Sequence, residues 1–213
     1  MTKPLSLLVV DVSEDWEEVL KAQERGYFIE WDYMYPGKYE HRDLYKESLL
    51  TIKYPHGSVR AGFNAIIDTV RIAHERNVPT YAVEFTDNNS DGEEQTCFSL
   101  QPYIQKANRY RKRSVSAFDS KYCKLADKIK AEDCQHLMVI GYDRDDCVME
   151  TIKDAVERGI TVVTSEHCML TQDRDNRRES SLTYFRKNTI FLETLLDVWN
   201  YILSATDKKE RQP

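Results

Sequence analysis

The chain has 213 residues, 41% of them hydrophobic and 11% aromatic, with a formal net charge of −6. That length fits one large domain with a sizeable core, and the acidic balance argues against a general attraction to nucleic acid. No apolar run approaches membrane-spanning length, and the start MTKPLSLLVVDVSEDW has neither the long apolar stretch nor the small-residue cleavage site of a signal peptide.

In chain order, Leu5 to Val10 (LSLLVV) is a continuous apolar run ending at Asp11, as expected for a strand buried on both faces. Phe63, Ile66, Ile67, Val70 and Ala73 recur at helical spacing and predict a helix from about Ser58 to Arg76, with Ser58 as its N-cap. Thr80 to Phe85 (TYAVEF) is the next strand, and Thr86 to Gln95 (TDNNSDGEEQ) is a polar, acidic loop. A helix near Lys121 to Ala131 leads to the strand His136 to Ile140. A second amphipathic helix then begins at Cys147, carried by Val148, Ile152, Ala155 and Val156 and stopped at Gly159. Ile160 to Thr164 and Thr189 to Leu192 read as strands, and Leu195, Leu196, Trp199 and Leu203 mark a closing helix. The charged tail from Asp207 to Pro213 is expected to fray. Strands alternating with helices predict an α/β domain over residues 1–213, with a parallel sheet covered on both sides. In such sheets the site lies beyond the carboxyl ends of the strands, where both Asp11 and the segment before Cys147 fall.

Five cysteines, an odd number without C-x-x-C spacing, suit a reducing compartment, so the expected location is cytoplasmic. Cys147 stands out among them. In Gly141-Tyr-Asp-Arg-Asp-Asp-Cys147-Val148 an apolar strand stops and a helix starts at the thiol. Unpaired N–H groups and the positive end of the macrodipole there favour thiolate and could hold an oxyanion. A small buried core side chain suits the same position, and Asp143, Asp145 and Asp146 oppose a further negative charge unless one of them caps the helix. Asp11 by itself also reads as a strand-end turn residue. Lys112, in the basic run Arg109 to Arg113, by itself also reads as solvated surface or part of an anion patch.

Three segments together resemble the isochorismatase-like cysteine hydrolases, a family that includes nicotinamidases and N-carbamoylsarcosine amidohydrolases. They are the strand LLVVDV with its terminal Asp11; Lys112 followed four residues on by Ser116-Ala117-Phe118; and Gly141 through Cys147-Val148 to Thr151 and Asp154-Ala155. The resemblance implies a three-layer αβα domain with a largely parallel, six-stranded, Rossmann-like sheet. It implies an Asp11–Lys112–Cys147 triad, in which Asp11 moves the thiol proton, Lys112 favours the thiolate and keeps Asp11 ionised, and Cys147 attacks an amide-like carbon. It also implies an oxyanion hole from the backbone N–H groups of Cys147 and Asp143, with a cis bond between Tyr142 and Asp143.

The chain departs from the family in two places. Metal-containing members carry Asp and two histidines in the second strand's loop and its neighbour. Here Thr86-Asp87-Asn88-Asn89 follows the strand, and histidines 41, 56, 74, 136 and 167 show no ligand spacing. The expectation is therefore no catalytic metal and no cofactor. After Asp11 stands Val12-Ser-Glu-Asp-Trp16 in place of the family's usual glutamine and phenylalanine, so Trp16, with Phe118, is the candidate wall of the substrate pocket. The stretch from about 14 to 57 is longer than in most relatives and holds nine of the chain's 23 aromatics, which suits either a lid over the site or an oligomer interface. The implied partner is a small molecule, with no nucleic acid or membrane, and the implied assembly is a dimer or tetramer. The leading reading is a metal-independent hydrolase of a small amide, ureido or carbamoyl compound; the alternatives are a non-catalytic binding protein on the same fold and an isochorismate-like ether hydrolase.

Overall fold

The computed structural model describes residues 4–12, 20, 52–85, 96–119, 121, 123–172 and 178–207. Trp16, almost all of the aromatic stretch from 14 to 57, the 86–95 loop and the tail beyond Asp207 lie outside the described residues. Among the described residues no helix is long and apolar enough to cross a membrane.

The elements are β1 (Leu5–Val10), β2 (Ile52–Lys53), α1 (Val59–Glu75), β3 (Thr80–Phe85), β4 (Arg109–Lys112), α2 (Leu125–Ala131), β5 (His136–Gly141), α3 (Met149–Glu157), β6 (Thr161–Thr164), β7 (Thr171–Gln172), α4 (Arg178–Asn188), β8 (Ile190–Phe191) and α5 (Leu195–Asp207). Six strands form one sheet in the order β4-β3-β1-β5-β6-β8, and every pairing in it is parallel. β2 and β7 form a separate antiparallel pair.

The central strand β1 is buried along its whole length, and its side chains alternate between two cores. Leu5, Leu7 and Val9 join Phe63, Ile66 and Val70 of α1 and Val198 and Ile202 of α5 on one face. Leu8 and Val10 join Leu125 and Ile129 of α2, Ile152 and Ala155 of α3 and Phe185 of α4 on the other. These faces make the three-layer αβα architecture expected from the sequence. Ser58 caps α1 as expected, its hydroxyl accepting from the Ala61 N–H at 3.1 Å.

Three elements differ from the sequence reading. The basic run is not merely solvated surface: Arg109–Lys112 is an edge strand, with Lys112 in register with Phe85. It shows no apolar alternation because parallel pairing holds it, while the Arg109 guanidinium satisfies the carbonyls of Gln101 and Ile104. The helix expected from Lys121 starts at Leu125. α4 went unread because its charge-dense sequence (RESSLTYFRKN) turns only Ser181, Leu182 and Phe185 inward.

Candidate active site

β1, β4 and β5 bring their carboxyl ends to one rim of the sheet. Asp11 follows β1 in the left-handed region, φ 52°, a conformation that aspartate tolerates better than most residues. Its N–H binds the Val83 carbonyl at 2.8 Å, and its Oδ1 accepts from the Phe85 N–H at 2.7 Å. Gly141 ends β5 with φ 128°, and a Cβ there would lie 2.1 Å from the Val10 carbonyl oxygen. Only glycine lets the chain pass this close to β1 before turning into the cysteine segment.

The Tyr142–Asp143 peptide bond is cis. Residues Arg144–Val148 then form a π-helical turn capped by Asp143, whose side chain accepts from the Asp145 N–H. The Asp143 carbonyl takes the N–H of Val148 at 2.9 Å and of Asp146 at 3.2 Å. Cys147 therefore sits in a widened first turn, of the kind common at functional sites, rather than at the start of a regular α-helix.

Lys112 Nζ lies 2.8 Å from Asp11 Oδ2, and the Cys147 thiol sits close enough to both side chains for each to act on its charge. The Lys112 side chain is fully buried and that of Asp11 nearly so, 0% and 11% exposed. A second Lys112 proton goes to the Val115 carbonyl at 2.6 Å, and the Phe85 ring lies 5.8 Å from the ammonium. Three groups distant in sequence thus share one site. Burial raises the Asp11 carboxyl above its usual range although Lys112 opposes it. Burial works most strongly against the Lys112 charge, but Asp11 and Cys147 together outweigh it and the ammonium is held more firmly than usual.

The Cys147 thiol goes the opposite way to the expectation from macrodipole and lysine. Burial first, and the Asp11 carboxylate second, raise it strongly, and Lys112 does not compensate. The resting site therefore favours the Cys147 thiol over the thiolate.

The acidic residues around Cys147 have their own partners. Arg144, which is 1% exposed, forks onto Asp145 through Nε and Nη2 at 2.8 and 2.7 Å and reaches Glu166 Oε1 at 2.5 Å. Asp145 also accepts from Thr171 Oγ1 at 2.8 Å and from Ser181. Burial opposes its charge, but these bonds together hold its carboxyl below the usual range. The sequence reading missed this clamp, although a single cation inside Asp-Arg-Asp-Asp was its signal.

Two site expectations meet other facts. Phe118, the candidate pocket wall, is fully buried in the core beside Ala117 and Val148, with the Arg158 guanidinium 5.4 Å from its ring. The loop after Lys112 turns it inward. His56 and His167, distant in sequence, stack with centroids 3.7 Å apart, and His56 Nε2 is 3.3 Å from Glu166 Oε2. Among the described residues no three metal-ligating side chains converge.

Residues 56–195 match the isochorismatase domain model. Similar solved structures include a hydrolase of the isochorismatase family from Chromobacterium violaceum, described as putative (16% identity, TM-score 0.66, covering 96% of this chain and 95% of that one). The nicotinamidase of Staphylococcus aureus is similar at 13% identity and TM-score 0.59, covering 89% and 98%. The N-carbamoylsarcosine amidase of Thermoplasma acidophilum is similar at 14% identity and TM-score 0.56, covering 89% and 96%. At these identities the likeness is one of fold. No curated protein matches the chain.

Proposed function

The chain belongs to the isochorismatase family, and from that premise we propose that it is a cysteine hydrolase cleaving a C–N bond of a small amide, ureido or carbamoyl compound, without a catalytic metal. The observation that carries the reading is the buried Asp11–Lys112 pair at 2.8 Å, with the Cys147 thiol near enough for both charges to act on it.

With the thiol raised, proton transfer accompanies attack rather than preceding it. Asp11 takes the Cys147 proton as the Sγ–C bond forms, and the carbonyl oxygen becomes an oxyanion facing the Asp143 and Cys147 N–H groups. Asp11 then gives the proton to the leaving nitrogen as the C–N bond breaks, leaving a thioester. Water, deprotonated by Asp11, attacks that carbon; the S–C bond breaks, and Cys147 recovers a proton. Lys112 stays protonated throughout and balances whichever group is negative.

A second reading, a non-catalytic binding protein, draws on the same raised thiol. A panel of small amides, ureas and carbamoyl compounds separates them. Ammonia release by the wild type, lost in Cys147→Ala, supports the hydrolase. No turnover on the panel, together with equal ligand binding by wild type and Cys147→Ala, supports the binding protein. Turnover of a vinyl ether that survives Cys147→Ala would sink both.

A further inference from the structure

Lys112 meets Asp11 and Cys147 with its ammonium tethered by its own loop, and that loop is fastened to the helix that follows the cysteine. Thr151, Asp154 and Arg158 lie at i, i+3 and i+7, one stripe running along α3 and just past its end. The Ala117 N–H donates to Thr151 Oγ1 at 3.1 Å, Ser116 Oγ bonds Asp154 Oδ2 at 2.5 Å, and Arg158 donates to the Phe118 carbonyl at 3.0 Å. Within the loop, the Phe118 N–H donates back to Ser116 Oγ at 3.1 Å, and Ser114 Oγ donates to the Ser116 carbonyl at 2.9 Å.

This stitching decides where the Val115 carbonyl stands, 2.6 Å from Lys112 Nζ. An ammonium has three protons on a flexible four-carbon stem. One goes to Asp11 and one to Val115, which leaves one for the neighbouring Cys147 thiol, a group close enough to act on the ammonium's charge. Thr151 is completely buried, where a hydroxyl persists only with a partner, and its partner here is the loop.

We infer that Thr151 and Asp154 are positioning residues that set the Lys112 ammonium against Asp11 and Cys147 by fixing the 113–118 loop to α3. The inference rests on the triad reading above and adds to it how the lysine is held.

The test reads the rate at which iodoacetamide alkylates Cys147 across pH, measured by peptide mass spectrometry, and so needs no substrate. Thr151→Val and Asp154→Ala should each slow alkylation at neutral pH by roughly tenfold, the scale of losses from small displacements of a reacting group. Their pH limb should move up, because Asp11 loses the charge that holds its carboxyl down, and Thr151→Ser should restore both rate and limb. Ser116→Ala, which cuts the same tether from the half-buried loop side, should act in the same direction and covers the case in which Thr151→Val does not fold. Thr151→Val should add nothing further in a Lys112→Met background. Wild-type rates and limb in folded Thr151→Val and Ser116→Ala, or additive losses in the double variant, would overturn the inference while leaving the triad standing. A wild-type rate in Lys112→Met itself would overturn the triad reading instead.

Discussion

Two buried charge clusters flank the segment from Tyr142 to Val148, one toward β4 and one toward β6, and they are built in opposite ways. The cluster toward β6 centres on Arg144, whose rigid fork is matched to Asp145 and Glu166 at 2.5–2.8 Å. Each carboxylate has further partners: Thr171 and Ser181 on Asp145, and His56 on Glu166. An arginine does not give up its proton in a protein, so this cluster can hold shape but cannot relay charge. The cluster toward β4 uses a lysine, a single carboxylate and a thiol, with Asp11 and Cys147 both raised by burial. Its protons can move. The same ingredients, buried anions beside a buried cation, serve geometry on one side and, on the proposed reading, proton transfer on the other.

The sharpest break in that contrast is Cys147→Ala. It should reduce hydrolysis by about three orders of magnitude or more, as loss of a nucleophile does, with little change in the urea midpoint, because Cys147 is only part-buried. Arg144→Met should do the reverse. It leaves Asp145 and Glu166 buried without their cation and should destabilise the fold by about 3–5 kcal/mol, read as a lower urea midpoint. A midpoint unchanged in Arg144→Met would show that the clamp is not the structural cluster.

The proton-moving side has a signature in pH. Asp11 must be ionised to accept the thiol proton, and its carboxyl is raised above the ordinary 3.8. The acid limb of kcat/KM should therefore lie above the ordinary aspartate range. Lys112→Met, which removes a charge that lowers the carboxyl, should push the limb higher still. A limb at or below the ordinary value would contradict the assignment of Asp11 as base. The smallest effect is expected where charges are neither buried nor networked. Arg71 and Asp68 pair at 2.8 Å on the α1 surface, with side chains 48% and 40% exposed, and Arg71→Ala should change stability by roughly 0–1 kcal/mol in a thermal melt.

The sequence made the frame of the molecule legible because the frame is written in periodicity. β1 is an unbroken apolar run, α1 carries its stripe behind a serine cap, and Gly159 marks the stop after α3, with φ 77°. The edge strand β4 was illegible because RYRK carries no apolar alternation; it is a strand through its register with β3 alone. Within the site, Asp11, Lys112 and Cys147 could be named because the resemblance fixed their order along the chain. Their electrostatics could not. Whether a thiol at a helix start is raised or lowered depends on how deeply it is buried and how close a carboxylate stands, and both are tertiary facts. Arg144 was overlooked for the same reason: Asp-Arg-Asp-Asp reads as net acidic, and only folding shows that the lone cation lies inside with two anions on it. Phe118 sits in a motif that matched the resemblance, but the turn after Lys112 points it into the core.

The central claim is that Asp11 makes the Cys147 sulfur reactive, and one measurement addresses it directly: iodoacetamide competition among the protein's five cysteines, in wild type and in Asp11→Asn. Because Asp11 accepts the thiol proton as the sulfur attacks, the account predicts that Cys147 in the wild type reacts at least roughly tenfold faster than Cys97, Cys123, Cys134 and Cys168 at neutral pH, and that Asp11→Asn removes most of this advantage. An advantage that persists in Asp11→Asn would mean that exposure alone distinguishes Cys147, and equal rates in the wild type would contradict the account outright.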